Sequence, residues 1–287
     1  MKGLSSLIAF FFLVVSPVHA ATRLVDHEPF APTPDEFVSA IVMVPRTHQV
    51  LYTFDPDKSH PAASLTKLTG ALVMTEHATP WNRLVTLRAG DEVGGGRLRV
   101  RVGSQLTMRD LLYCSITASA NNTAMALARL SGLSRATFLK RMNQAAIKAG
   151  ARTSRFVDPS GMDPKNITTA RDMARIAETA FARPLIRGPA GSATYQFTVR
   201  HPRLDKTIKN TNALLTSDPD VWVIGGKTGY LEEAKWNLAV QMRPIDAEGT
   251  SIPKQELMVV VLGAPTKERV FASAKKLAEW AWSTYTF

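Results

Sequence analysis

The pattern of apolar and polar positions divides the chain of 287 residues into three stretches. Near the front, residues 37–44 are almost wholly apolar. Residues 49–54 are β-branched and aromatic, and Pro45-Arg46-Thr47-His48 lies between the two runs, so they read as an antiparallel hairpin. In the middle, apolar residues return every three or four positions. That spacing predicts a helix from Ser64 through Leu68, Leu72 and Val73 to Glu76, and further helices over 107–117, 121–130, 134–149 and 170–182. Thr107 with Asp110, and Thr169 with Asp172, supply the hydroxyl-then-acid signal that opens a helix. Phe138, Met142, Ala145 and Ala146 form the apolar stripe of 134–149. Beyond 182 the period returns to two. Strands are expected at 193–200, 221–228, 236–242 and 257–262, the last apolar throughout, and Thr266 opens a closing helix with Val270, Ala274, Leu277, Ala278 and Ala281 on one face. Residues 97–102 alternate like a short exposed strand.

This order implies a mixed α/β fold of the α+β type. The front hairpin and the back strands share one antiparallel sheet, the closing helix covers one face, and residues 107–182 form a mostly helical lobe. Residues 21–36 carry three prolines and little pattern, and read as an extended arm leading into one folded unit over 37–287. No internal repeat or low-complexity segment appears.

Met1-Lys2, an unbroken apolar run over 7–15, a break at Ser16-Pro17 and small residues up to Ala20 read as a secretory signal peptide over residues 1–20. Cys114 is the only cysteine, so no internal disulfide can form, and its apolar neighbours mark it as a small buried residue. The formal net charge of +11 points to anionic partners. With no nucleic-acid motif in an exported chain, an acidic cell-wall polymer or anionic lipid headgroups fit better than nucleic acid. Gly94-Gly95-Gly96 lacks the Lys-Ser/Thr of a phosphate loop. The six histidines are scattered without metal-ligand spacing, so the sequence calls for no metal and no cofactor.

Three small polar clusters carry candidate chemistry. Ser64 and Lys67 stand one helical turn apart, which places a hydroxyl beside an amine. A serine hydroxyl attacks only when a base takes its proton, and a neutral lysine can be that base. Ser273 and Lys276 repeat the spacing, so this pair alone decides nothing. Ser119 and Asn121 lie at the break between two predicted helices. Lys227, Thr228 and Gly229 lie on a predicted strand edge, followed by Tyr230. Asp163 and Asp172 read as turn and capping residues.

Ser-x-x-Lys, then Ser-x-Asn, then Lys-Thr-Gly in this order resembles the penicillin-recognising serine enzymes. Within that group the chain is most similar to the D-alanyl-D-alanine carboxypeptidases and endopeptidases, the low-molecular-mass penicillin-binding proteins of peptidase family S11. Residues 61–67, Asp110-Leu111-Leu112, Asp158-Pro159-Ser160-Gly161-Met162 and residues 168–173 extend the likeness over about 35–285. The resemblance implies a β-lactamase/DD-peptidase-like fold, a catalytic domain over 37–287, and a bacterial periplasmic enzyme that cuts peptidoglycan stem peptides and is inhibited by β-lactams. It also implies roles. Ser64 forms the acyl-enzyme, Lys67 takes its proton with Lys227 helping to keep that amine neutral, and Ser119 relays a proton to the leaving amine. Asn121 binds the substrate amide and holds Lys67, Lys227 and Thr228 take a substrate carboxylate, Gly229 leaves room along the strand, and the N–H groups of Ser64 and Tyr230 form an oxyanion hole. The chain stops after the catalytic segment, as do the short members that act as endopeptidases on cross-links. A β-lactamase is one alternative, its deacylating Glu and Asn matched here only by Asp163 and Asn166. A non-catalytic cell-wall-binding protein is the other.

Overall fold

The structure, a computed structural model, describes residues 20–24, 27–33, 35–76 and 80–287. Apart from Ala20, the expected signal peptide lies outside the described residues. Among them, no helix is long and apolar enough to cross a membrane.

Five antiparallel strands form the central sheet, in the order Val221–Leu231, Lys235–Pro244, Leu257–Ala264, Ser39–Met43, Val50–Phe54. The front hairpin thus joins the back strands through the pairing of Ser39–Met43 with Leu257–Ala264, where Val42 faces Val259 and Ile41 faces Val260. These two strands are buried on both faces, which is why they read as continuous apolar runs rather than alternating ones. Their period of two splits the core. Ile41, Met43, Met258, Val260 and Leu262 face the helical lobe, whereas Ala40, Val42, Val259 and Val261 face the closing helix Lys267–Thr284. On the lobe side the Ala170–Phe181 helix packs against the sheet, fixed at its start by the Thr169 hydroxyl, which accepts from the N–H of Asp172.

The lobe also contains Met108–Ile116, Asn121–Leu130 and Arg135–Lys148, close to their predicted bounds. It extends further than expected, because Pro184–Gly191 is helical. Pro184 is tolerated in its first turn, where the missing N–H has no helical acceptor in any case.

Two expectations need correction. Residues 97–102 form no strand: the segment is irregular, and its central N–H and carbonyl, those of Leu98, are bonded to the Asn122 side chain rather than to a neighbouring strand. The strand at Thr194–Val199 exists but stands outside the central sheet, paired only with Leu204–Lys209 in a separate two-stranded ribbon. Of the arm, Thr22–Arg23 pairs with Tyr285–Thr286, and Phe30 packs edge-on against Tyr52 and Trp280.

Candidate active site

The Ser64 segment enters the core as one 3₁₀ turn, Ala63–Thr66, that runs into the helix Lys67–Met74. Leu65, Leu68 and Leu72 anchor it in the interior, and Ser64 stays half-buried at the surface of the lobe. Asn237 ties the segment to the sheet, donating to the Pro61 carbonyl at 2.9 Å while accepting from the N–H of Gly263. Ala63 holds a left-handed backbone with φ of 47°, a sparsely populated conformation for a residue with a side chain, immediately before the serine. Standing at the start of the turn, the Ser64 N–H has no preceding helical carbonyl to bond.

Lys67 is 1 % exposed. Its Nζ donates to Ser64 Oγ at 2.6 Å, to Asn121 Oδ1 at 2.7 Å and to the Ser160 carbonyl at 2.5 Å. Burial pushes its pKa down to about 7, and the carboxylate of Asp158 pulls it the other way. The expected help from Lys227 is not among the causes. Lys227 is itself pushed well below its ordinary value, by burial first and by Lys67 second.

A consequence follows from the donor and acceptor inventory. A neutral amine has two N–H groups and one lone pair. A carbonyl oxygen and an amide oxygen can only accept, so both N–H groups go to Ser160 and Asn121. The lone pair is left facing the Ser64 hydroxyl.

The Ser160 carbonyl is held by a turn built around Asp158. This buried carboxylate accepts from the N–H groups of Ser160, Gly161 and Asp163, from the Ser160 hydroxyl and from Asn166 Nδ2. Burial raises its pKa, but the hydrogen bonds outweigh burial and hold it below the usual range. Gly161 is required here: its φ is 84°, and a Cβ would stand 2.1 Å from the Ala63 carbonyl oxygen.

On the other side, Ser119 sits in the break between Met108–Ile116 and Asn121–Leu130 with φ of 57°. Its Oγ accepts from Lys227 Nζ at 2.7 Å, and Lys227 also donates to the Thr228 carbonyl. The Thr228 and Thr211 hydroxyls are 2.6 Å apart. Both lysines are buried beneath two half-exposed hydroxyls, those of Ser64 and Ser119. Lys227, Thr228 and Gly229 lie on Val221–Leu231, the edge strand of the sheet. That strand passes the serine at Gly229, where a Cβ would be 3.2 Å from Ser64 N. The Tyr230 ring points outward, tilted against Trp236 with its hydroxyl on Glu232.

The structure therefore gathers Ser64, Lys67, Ser119, Asn121, Lys227, Thr228 and Gly229 at one place. The second Ser-x-x-Lys pair is structural, since the Ser273 hydroxyl is buried on Glu36 and Lys276 faces solvent. Cys114 is fully buried, and burial raises its thiol pKa. Asp163 accepts from the N–H of Lys165 in a turn, and Asp172 binds Thr153 and Ser154 besides its capping bond. Sequence reading missed Asp158, Ser160, Thr211 and Asn237 as site residues. Only Asp158-Pro159-Ser160-Gly161 carried a signal, that of a sharp turn.

A nucleophile beside a buried neutral amine, on a helical lobe against the edge of an antiparallel sheet, defines a serine hydrolase. The D-alanyl-D-alanine carboxypeptidase family model matches residues 31–266. A D-alanyl-D-alanine endopeptidase of Pseudomonas aeruginosa is 33% identical, the match covering 84% of this chain and 76% of that protein. One from Escherichia coli is 30% identical with the same coverage. Among solved structures, a DD-transpeptidase of Streptomyces is similar with a TM-score of 0.77 and 26% identity, covering 89% of this chain and 100% of that one. The chain belongs to the D-alanyl-D-alanine carboxypeptidase family, peptidase family S11. It is a serine-type D-Ala-D-Ala peptidase with the fold of the penicillin-binding DD-peptidases.

Proposed function

We propose that this peptidase acts on peptidoglycan stem peptides in the periplasm, both trimming terminal D-Ala and opening D-Ala cross-links, through an acyl-enzyme on Ser64. The observation that carries the assignment of roles is the partner set of Lys67, which leaves the lone pair of the neutral amine only the Ser64 hydroxyl to accept from. Lys67 takes that proton as Oγ attacks the D-Ala carbonyl carbon. The oxyanion is held by the N–H groups of Ser64 and Tyr230; one such donor is worth about 2.7–4 kcal/mol in the transition state. The C–N bond then breaks, Ser119 gives its hydroxyl proton to the leaving amine, and Lys227, charged beside the arriving substrate, re-protonates Ser119. Water adds its OH to the ester carbonyl and gives its other proton back to Lys227, while Lys67 returns its proton to the departing Ser64 Oγ and restores the serine.

In the carboxypeptidase reaction, Lys227 and Thr228 receive the terminal carboxylate of the substrate. An arriving anion compensates the burial of Lys227 and favours its charged form. Asn121 offers its amide to the substrate backbone, and Gly229 leaves the strand edge open. The names of the relatives from Pseudomonas aeruginosa and Escherichia coli favour the endopeptidase activity as the larger one. The apolar run at 7–15 and Ala20 support export with cleavage after Ala20, and residues 37–287 act as the catalytic domain. β-Lactams acylate the same serine.

A fast β-lactamase is not favoured. The side chain of Asn166 is fully engaged in its own turn, accepting from the N–H groups of Val157 and Asp158 and donating to Asp158. A bystander binding protein has no use for two buried lysines aimed at two hydroxyls. Digestion of purified peptidoglycan and of a D-Ala-D-Ala pentapeptide tests the reading. Wild-type protein converts cross-linked dimers to monomers and releases D-Ala, and Ser64→Ala does neither. No product from either substrate with the wild type overturns it.

A further inference from the structure

A groove of about 1200 Å³ lies between residues 92–104 and the Thr194–Val199/Leu204–Lys209 ribbon. Its lining includes Arg97, Arg99, Arg101, Ala118, Val199 and Pro202. Ala118 is the residue before Ser119, and a Cβ on Gly96, also in the lining, would stand 3.9 Å from the Ser119 carbonyl oxygen, so the groove borders the segment that carries Ser119. A leaving group that departs on this side of Ser119 would enter it.

The three arginines are exposed along this irregular segment and line the groove, with Leu98 buried between the first two. The segment is fixed to the Asn121–Leu130 helix rather than loose: Asn122 clamps the N–H and carbonyl of Leu98 at 2.9 and 3.0 Å. The adjacent Asn121 donates from its backbone and side chain to the carbonyls of Gly96 and Gly94. Arg97 is 3.5 Å from Glu92, whose other oxygen accepts from Asn122. Arg99 and Arg101 have no acidic partner among the described residues. Across the groove, Arg200 and Arg203 are exposed at the tip of the ribbon, where Asp205 takes the Thr198 hydroxyl. Val102 and Leu204, 54 % and 45 % exposed, add apolar surface to the lining.

We infer that this groove is a leaving-group subsite for an acidic peptide, in which Arg99 and Arg101 bind carboxylates of the departing stem. The inference rests on the peptidase reading above and concerns its substrate preference. Guanidinium forks match carboxylates in geometry as well as charge, and a cleft of one sign concentrates its counter-charge. Free D-Ala has one carboxylate, which Lys227 and Thr228 take, and it has no second one to offer this rim. A cross-linked stem peptide is long enough and carries several carboxylates. The rim therefore speeds cross-link cleavage and leaves D-Ala release untouched.

The test compares kcat/KM on a purified cross-linked muropeptide dimer with kcat/KM on a D-Ala-D-Ala pentapeptide and with the rate of acylation by benzylpenicillin. Arg99→Glu/Arg101→Glu and Arg99→Ala/Arg101→Ala are measured beside a charge-matched control on a distant exposed helix face, Arg135→Glu/Lys140→Glu. The dimer reaction falls about tenfold or more in both rim variants, acylation and the pentapeptide reaction stay within about twofold, and the control behaves as wild type. Raising the salt concentration slows the wild-type dimer reaction and has little effect on the rim variants. Equal losses on dimer and pentapeptide, no loss on either, or an equal loss in the control overturns the subsite. Wild-type protein that cleaves neither substrate overturns the peptidase reading itself, and this inference with it.

Discussion

Lys67 and Asn121 are locked in one polarity. Lys67 Nζ donates to Asn121 Oδ1 at 2.7 Å, and the amide cannot turn over because its Nδ2 is committed to the Gly94 carbonyl at 2.7 Å. Asn121 can only accept from the lysine, so it helps to steer the lone pair of the neutral amine to Ser64. As the proposed base, Lys67 works only when unprotonated, and burial sets that point at about 7 instead of the ordinary 10.5. Below it, Lys67 carries the proton and cannot take another. Acylation by benzylpenicillin therefore rises with pH, about tenfold per unit on the acid limb, and levels off above about pH 7. Stopped-flow or gel-based labelling over pH 5–9 checks this; a rate that is flat across the range contradicts it.

Asp158 opposes that depression, because its negative charge favours the protonated amine. Asp158→Asn removes the charge, and the midpoint of the acylation profile moves to lower pH. The same change puts an N–H where backbone donors already point, which costs about 1–3 kcal/mol of stability. Thermal unfolding and the pH profile, measured on the same sample, separate the two effects.

Gly161 and Gly132 both hold positive φ, 84° and 78°, but only Gly161 is crowded. A Cβ there meets the Ala63 carbonyl oxygen at 2.1 Å, whereas among the described residues nothing lies within 4 Å of one on Gly132. Gly132→Ala costs about 1–2 kcal/mol of backbone strain and leaves acylation unchanged. Gly161→Ala displaces the nucleophile turn, so acylation falls sharply in any protein that still folds. Unfolding midpoints and penicillin labelling report the contrast.

Among the described residues, Ser119 is the only side chain that Lys227 bonds. In the proposed mechanism Ser119→Ala removes the proton path to the leaving amine, and kcat on the pentapeptide falls by about 10²–10⁴. The Ser64 and Lys67 pair is left intact, so steady-state kinetics show the loss while the protein keeps its wild-type unfolding midpoint within about 1 kcal/mol.

Much of this fold was legible where one local rule acted alone. The inner strands Ser39–Met43 and Leu257–Ala264 announced themselves as apolar runs, and Thr107 and Thr169 marked helix starts that the structure keeps. The 97–102 segment misled because alternation records which residues face the core, and Asn122 supplies the backbone partners a strand would have needed. Pro184–Gly191 was hidden by prolines and glycines that normally end helices. Within the site, the motif residues were visible as types in an order. Ser160 was not, because its part is played by a carbonyl every residue carries, and Thr211 reaches Thr228 from 17 positions away in the chain.

The pairing of Lys67 with Ser64 is tested most directly by peptide mapping of protein treated with benzylpenicillin, wild type beside Lys67→Met. The wild type carries one adduct, on Ser64, and the variant carries none on the same timescale. An adduct on another residue, or a variant that labels Ser64 at the wild-type rate, contradicts the account.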